Sequence, residues 1–260
     1  MNRISINDAP VETVSTQKIV SYIDGKIDDD RIYTFHFDFD NDQLLSIFHD
    51  LASDPINVRS YPWYDPSPEQ SRINVGWSEL DVLAYKEGRP STINDYPYIR
   101  ELIKEFDSKI IAIRWFKNKP YFAYGVHFDQ ASKKERLRLT VNQVMYNYDL
   151  TEQEARAYIK WRSNGTKTAI AHLLTQGDEP IEFTYENQKD YDSRDWHKST
   201  KDYRYHYKTA LLNTHWTHYV TGDCKNERLM FRISIFDKNF WDTKKTVSYT
   251  HLRAHETAYY

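Results

Sequence analysis

The sequence predicts a mainly β domain flanked by helices, and three observations carry that prediction. From residue 109 onward, short alternating or continuously apolar stretches dominate. Aromatic residues are abundant, with 21 Tyr, 12 Phe and 7 Trp against 7 Gly in 260 residues, a bias that suits pleated surfaces and polar cavities. Clear helical periodicity is confined to a few segments.

Taken in order, residues 1–31 are polar, carry Asp28-Asp29-Asp30, and read as a loose N-terminal arm. Residues 32–40 alternate, with Tyr33, Phe35, Phe37 and Phe39 on one face, which predicts a half-buried strand. Asn41-Asp42 can cap the helix announced by Leu44, Leu45, Ile47, Phe48 and Leu51. The proline-rich stretch 61–68 is a loop. Ile99, Leu102, Ile103 and Phe106 line one side of a second helix, and residues 109–116 form a buried strand. Thr151-Glu-Gln-Glu154 is a capping box opening a further helix. No internal repeat or second domain is visible, so 32–246 reads as a single domain.

The peptide 247–257, Val-Ser-Tyr-Thr-His-Leu-Arg-Ala-His-Glu-Thr, is what a transposase sequencing adapter encodes in frame. His251 and His255 are therefore set aside, and the natural chain is expected to be cut near Thr246.

The formal charge of -3 and the lack of a basic block speak against nonspecific nucleic-acid binding. A single cysteine, Cys224, leaves no internal disulfide and fits a reducing cytoplasm. No apolar run approaches the roughly 20 residues that span a bilayer. The expectation is a soluble cytoplasmic protein.

The chemistry begins at Tyr124-Gly-Val-His-Phe-Asp129. Two apart on a strand, His127 and Asp129 project from one face and can share a metal. A two-histidine, one-carboxylate set suits non-haem iron because it leaves adjacent positions open. The motif alone is weak, and His36-Phe-Asp38 repeats it on an N-terminal strand with no fitting partners downstream, where a solvated strand face is the better reading. Asp38-x-Asp40-x-Asp42 imitates a calcium loop, but Gln43 stands where glycine is needed and His49 where the closing glutamate belongs.

Residues 136–142 alternate, so Arg136 and Arg138 share a face that suits a dicarboxylate; the alternative is a solvated strand. Farther on, residues 211–220 offer His215 and His218, and residues 227–236 form a strand with Arg228, Met230, Arg232 and Ser234 on one face. Ligands this distant in sequence are ordinary where strands from both halves of a jelly roll meet. His172, His197 and His206 lack a partner at ligand spacing. Residues 202–208 could stack on bases, though a two-sided tyrosine strand explains them equally.

In order and spacing these residues resemble the aspartyl/asparaginyl β-hydroxylase-like Fe(II)/2-oxoglutarate oxygenases. The resemblance runs from about Trp77 to Phe236. It comprises Trp77-Ser-Glu-Leu-Asp-Val-Leu, the helix ending at Phe106, the strand from Ile110, the His-x-Asp pair, Arg136, then Asn213, Thr214, His218, Val220 and Arg228. It implies a double-stranded β-helix, of jelly-roll or cupin-like kind, with His127, Asp129 and His218 as iron ligands and O2 as co-substrate. Arg228 would bind the distal carboxylate of 2-oxoglutarate. Arg136 would lie near its metal-bound end with Arg138 close by, where relatives carry His or Asn. Val220 and Arg228 fall into register with His218 rather than His215.

The separation of His127 from His218 exceeds that of relatives, which implies a surface insertion at about 146–207, a candidate lid. The implied reaction is hydroxylation of a C–H bond. The substrate would be a polypeptide or a small polar molecule, with the β-carbon of an Asp or Asn residue as first guess. Two rivals stand beside it: a non-catalytic jelly roll serving binding or assembly, and a cupin-type metal enzyme of other chemistry.

Overall fold

The computed structural model describes residues 19–23, 26–60, 72–106, 108–122, 124–127, 129, 140–163, 168–175, 181–183, 201–216, 218–220 and 224–257. Its strands are β1 (Ile19–Ile23), β2 (Ile32–Thr34), β3 (Arg59–Ser60), β4 (Arg72–Trp77), β5 (Ile111–Asn118), β6 (Tyr124–His127), β7 (Thr168–Leu173), β8 (Ile181–Phe183), β9 (Lys201–Tyr205), β10 (Thr209–Leu212), β11 (His218–Val220) and β12 (Arg228–Ile235). Its helices are α1 (Asn41–Ser53), α2 (Glu79–Lys86), α3 (Pro97–Glu105), α4 (Val141–Tyr148), α5 (Glu152–Ser163) and α6 (Phe240–Thr257). No helix among the described residues is long and apolar enough to cross a membrane.

Two sheets form, in the orders β2-β10-β7-β12-β5-β4-β3 and β1-β9-β8-β11-β6. Strands β5 to β8 alternate between the large and the small sheet, and β9 to β12 return the same way. The second half interleaves with the first: β12 lies between β5 and β7, and β11 between β6 and β8, all antiparallel. That winding is a double-stranded β-helix.

The pleat of the large sheet sorts its side chains. On the outer face Ile111, Ile113, Trp115, Leu229, Phe231, Ile233 and Ile235 pack against Leu44, Ile47, Phe48 and Leu51 of α1 and Ile99, Leu102 and Ile103 of α3. Burying a large apolar side chain here contributes roughly 1.5–3 kcal/mol. On the inner face Phe116, Ala171, Leu173, Ala210, Leu212 and Met230 meet Tyr205 of the small sheet. The helix α2 lies across one end of the barrel, where its Leu83 clusters with Ile110, Ala112 and Phe236. Its start is fixed by Ser78 and Asp81, which cap one another's backbone amides.

Gly76 in β4 has a φ of +126°, and a Cβ there would lie 2.3 Å from the carbonyl oxygen of Ile113. No other residue fits that backbone against its neighbour strand.

Several expectations are corrected. The ladder expected over 32–40 ends at Thr34, because β2 is the edge of its sheet and Asp40, rather than Asn41 or Asp42, caps α1 through Gln43 N at 3.0 Å. The rings of Tyr33, Phe35 and Phe37 still pack against the core. The alternation over 136–142 does not continue as a strand, since Thr140 and Gln143 form a capping box that starts α4. The stretch 146–207 is not wholly an insertion: β7, β8 and β9 lie in it as barrel strands, and α4 and α5 are what is added between β6 and β7. Within the expected arm, β1 pairs in parallel with β9. At the other end α6 spans Thr246, with Val247 in the main core, and the expectation about the origin of residues 247–257 stands apart from these corrections.

His172 ties α1 to the sheet. Its Nε2 donates to Asn41 Oδ1 at 2.8 Å and its Nδ1 accepts from Thr209 Oγ1 at 2.7 Å, a single tautomer serving both bonds. Burial, aided by the Lys208 charge, depresses this imidazole to about 4. In the unfolded chain it titrates near 6.5, so below that pH the unfolded state takes a proton the fold refuses. The contribution is intact above pH 6.5 and is lost as pH falls toward 4, reaching about 3 kcal/mol. Urea unfolding from pH 7 to pH 4 should therefore be steeper in pH for the wild type than for His172→Gln; identical slopes would show that His172 is not the titrating group.

Candidate metal centre

Strand pairing sets the two histidine positions opposite one another in backbone register. His218, the first residue of β11, is the register partner of His127, the last of β6. On its other side His218 pairs with Phe183 of β8, so it lies on an interior strand of the small sheet. The turn before it explains how it is held. Asn213 anchors that turn, its backbone amide donating to Arg31 O at 2.8 Å and its side-chain amide to Asp30 O at 2.7 Å. The turn's buried Thr214 offers its carbonyl to Asp129 N at 3.1 Å. One backbone bond thus fastens the His-x-Asp segment to the turn that delivers the distal histidine. His215 stands inside the turn, not opposite His127.

His218 is 6% exposed, and its Nδ1 donates to Trp216 O at 2.9 Å. The tautomer is thereby fixed, and Nε2 carries the lone pair that a metal requires. Burial pushes the imidazole below its ordinary value, while the Asp129 charge and the Trp216 carbonyl oppose this and the Arg232 charge adds to it. A buried neutral imidazole beside a carboxylate is a donor set that fits a divalent cation of the iron or zinc type.

The Asp129 carboxylate meets Arg232 Nη2 in an ion pair at one oxygen. Arg232 lies on the inner face of β12, spaced by four from Arg228, which is roughly 13 Å along a strand. Arg228 is 4% exposed, and Asn118 on β5, with its amide oxygen turned toward the guanidinium, accepts from Arg228 Nε at 3.3 Å and Nη2 at 2.9 Å. Its long axis therefore lies inside the barrel, on the same face as the Asp129 pair.

The backbone of His127 is described but its side chain is not, and Arg136 and Arg138 lie outside the described residues. Among the described side chains no three His, Cys, Asp or Glu groups cluster as a metal set. His36 and Asp38 form an exposed pair 3.4 Å apart on the outside of the molecule. A surface cleft of about 670 Å3 beside α2 and α3 is lined by residues that include Lys86, Arg89, Lys104 and Lys109, and neither His218 nor Asp129 lines it. Three of its cations are engaged, Lys86 with Ser108 O, Arg89 with Glu87 and Lys104 with Glu101, so it reads as a solvated groove.

Sequence reasoning had placed Arg232 on the Arg228 face without giving it a role, and had passed over Arg114 within an apolar run. A charge inside an otherwise buried strand was the available signal, since burying one unpaired is costly.

No family model matches the chain, and no curated protein matches it either. Solved structures that resemble it include a prolyl-4-hydroxylase of Pseudomonas putida, 8% identical, with a TM-score of 0.39 over 77% of this chain and 89% of that one. A prolyl hydroxylase of Trichoplax adhaerens, in complex with a hypoxia-inducible-factor peptide fragment, is 10% identical with a TM-score of 0.38 over 76% and 78%. The dioxygenase for auxin oxidation of Arabidopsis thaliana, in its 2-oxoglutarate complex, is 8% identical with a TM-score of 0.41 over 84% and 92%. The chain is similar to these proteins in outline, and its fold assignment rests on its own strand order.

Proposed function

We propose that this protein is an Fe(II)- and 2-oxoglutarate-dependent dioxygenase that hydroxylates a C–H bond. The observation that carries the reading is the direct register of His127 with His218, with Asp129 fastened to the same turn through Thr214 O. His127, Asp129 and His218 would hold the iron, Arg228 the distal carboxylate of 2-oxoglutarate, and Arg136 and Arg138 would lie near its other end. When bound, iron, O2 and 2-oxoglutarate supply the oxidant, with release of succinate and CO2.

The chain's own part is positional. Trp216 O keeps the proton of His218 on Nδ1, so that Nε2 is available. Arg232 holds one oxygen of Asp129 and biases the carboxylate toward single-oxygen ligation by the other. Asn118 aims the Arg228 fork along the barrel, where it can take a carboxylate through two parallel bonds. The finer reading, hydroxylation at the β-carbon of an Asp or Asn residue, rests on the resemblance of motif spacing alone.

The test is protein purified without oxygen, then given Fe(II) and 2-oxoglutarate. A weak visible charge-transfer band and succinate formation on aeration are expected; neither would appear from a binding jelly roll or a cupin of other chemistry. Arg228→Gln should retain Fe(II) and raise the KM for 2-oxoglutarate roughly 30- to 1000-fold, the scale of a truncated buried charge pair. An unchanged KM would remove Arg228 from the site.

A further inference from the structure

The segment just before β2 presses on the turn that delivers His218. The β2–β10 ladder reaches the pair Ile32–Leu212, and one more bond carries it past the strand ends, where Asn213 N donates to Arg31 O at 2.8 Å. Asn213 Nδ2 donates to Asp30 O at 2.7 Å. Across the turn Trp216 N donates to Asn213 O at 3.1 Å, so residue 213 sets where residue 216 stands. Trp216 O in turn accepts the His218 Nδ1 proton.

The Arg31 side chain grips the other end of the same turn. Its guanidinium carbon lies 3.8 Å from the centroid of the Tyr203 ring, 5.5 Å from that of Trp216 and 5.9 Å from that of Tyr205. A cation within about 6 Å of an aromatic face is attracted to it, more strongly where water is kept away. The side chain is 15% exposed, and its Nε is buried with no hydrogen-bond partner among the described residues. Ring faces hold it, together with the carboxylates of Asp29 and Asp30 at 3.6 and 3.8 Å. Asp29 fixes the base of this arrangement. Its Oδ1 accepts from Arg31 N at 2.8 Å and Ile32 N at 2.9 Å, and its Oδ2 from Tyr205 OH at 2.8 Å. Arg31 therefore meets the turn twice, by its backbone at Asn213 and by its charge at Trp216.

We infer that Arg31 is a positioning residue of the metal centre: through Trp216 it keeps a carbonyl aimed at the His218 Nδ1 proton, and so presents Nε2 to the metal. The inference rests on the reading of His218 as a ligand for the word metal, whereas the hold on the imidazole stands on the contacts themselves.

The test uses the full chain with Arg31→Met, which keeps an apolar stem and drops the charge, and Arg31→Lys, which restores a cation. Two quantities are measured without oxygen. One is Mn(II) affinity by calorimetric titration; the other is the His218 tautomer in the metal-free protein, from nitrogen–proton correlations of its imidazole. Arg31→Met should weaken Mn(II) roughly 10- to 100-fold, the range for groups that orient a ligand, and turn the Nδ1–H form into a mixture. Arg31→Lys should recover part of both. Arg72→Ala is the control, because Arg72 stacks in the same way but on Phe116, at 4.0 Å, and Phe122 rather than on Trp216. It should leave both quantities unmoved. Should Arg31→Met fail to fold, Trp216→Leu removes the ring while keeping the carbonyl, and the same two losses are expected of it. Unaltered Mn(II) affinity or an unaltered tautomer in the variant read, or equal losses in Arg72→Ala, would overturn the inference. Failure of the wild type to bind Mn(II) would count against His218 as a ligand instead, and the tautomer would still decide whether Arg31 holds the ring.

Discussion

His218→Ala is expected to weaken Mn(II) or Fe(II) binding by more than about 100-fold, beyond the 10- to 100-fold typical of residues that only support a ligand. Three contributions add in that one side chain. It is the lone-pair donor set opposite His127; its proton is committed to Trp216 O; and its burial keeps it neutral. Alanine removes the donor and leaves a polar hollow on an interior strand of the small sheet, costing on the order of 1–3 kcal/mol of stability as well. His215→Ala is the control, because that residue sits in the preceding turn and should leave metal affinity within about twofold. Calorimetric titration with Mn(II) in the absence of oxygen reads both variants. Equal affinities for the two would exclude His218 as a ligand.

Gly76→Ala should cost about 4 kcal/mol or more, a large share of a typical domain's stability. The added Cβ would lie 2.3 Å from Ile113 O and 2.9 Å from Arg114 Cα. These are backbone atoms of the neighbouring strand, so no side-chain rotation relieves the contact. The φ of +126° adds its own penalty for any L side chain. The strand β5 that would have to move is central to the large sheet, paired with β4 and β12. Urea unfolding of the purified variant measures the loss, and a midpoint within error of the wild type would mean that the turn of chain at Gly76 differs from that described. By contrast, Gly88, also at positive φ, has nothing within 4 Å of an added Cβ, and its substitution carries conformational strain alone.

The parts of this fold that could be read from sequence are those in which local chemistry and tertiary demand agree. The helix at Leu44, Ile47, Phe48 and Leu51 was legible because its buried stripe repeats at helical spacing. The capping box at Thr151 was legible because Glu154 answers it in the same turn. The strand near Ile111 was legible because both of its faces are largely buried. Thr140-Val-Asn-Gln143 carries an equally good box, yet the alternating arginines before it suggested a strand through that point. The local cap wins, because helix nucleation needs few residues whereas a strand needs a neighbour.

The short strand β8 was invisible for the opposite reason, while β9 was legible as one of two equal readings of residues 202–208. With three residues, Ile-Glu-Phe, β8 owes its state to the ladder it joins rather than to any periodicity. At the site, the pairing of His127 with His218 could be anticipated only through motif spacing. The partners Thr214 O, Trp216 O, Arg232 and Arg114 depend on register between distant strands, which no window along the chain contains.

The buried carboxylate of Glu79 accepts from Tyr158 OH of α5 at 3.1 Å while facing Arg114 of the barrel wall. The helical pair added between β6 and β7 is for that reason geared to the barrel rather than hung from it. Swinging α5 outward would withdraw a neutral donor from an acid that water reaches poorly, at a cost of about 1–3 kcal/mol. The same acid would then draw harder on Arg114. Motion of the appendage and charge on the inner wall are in this way two readings of a single latch.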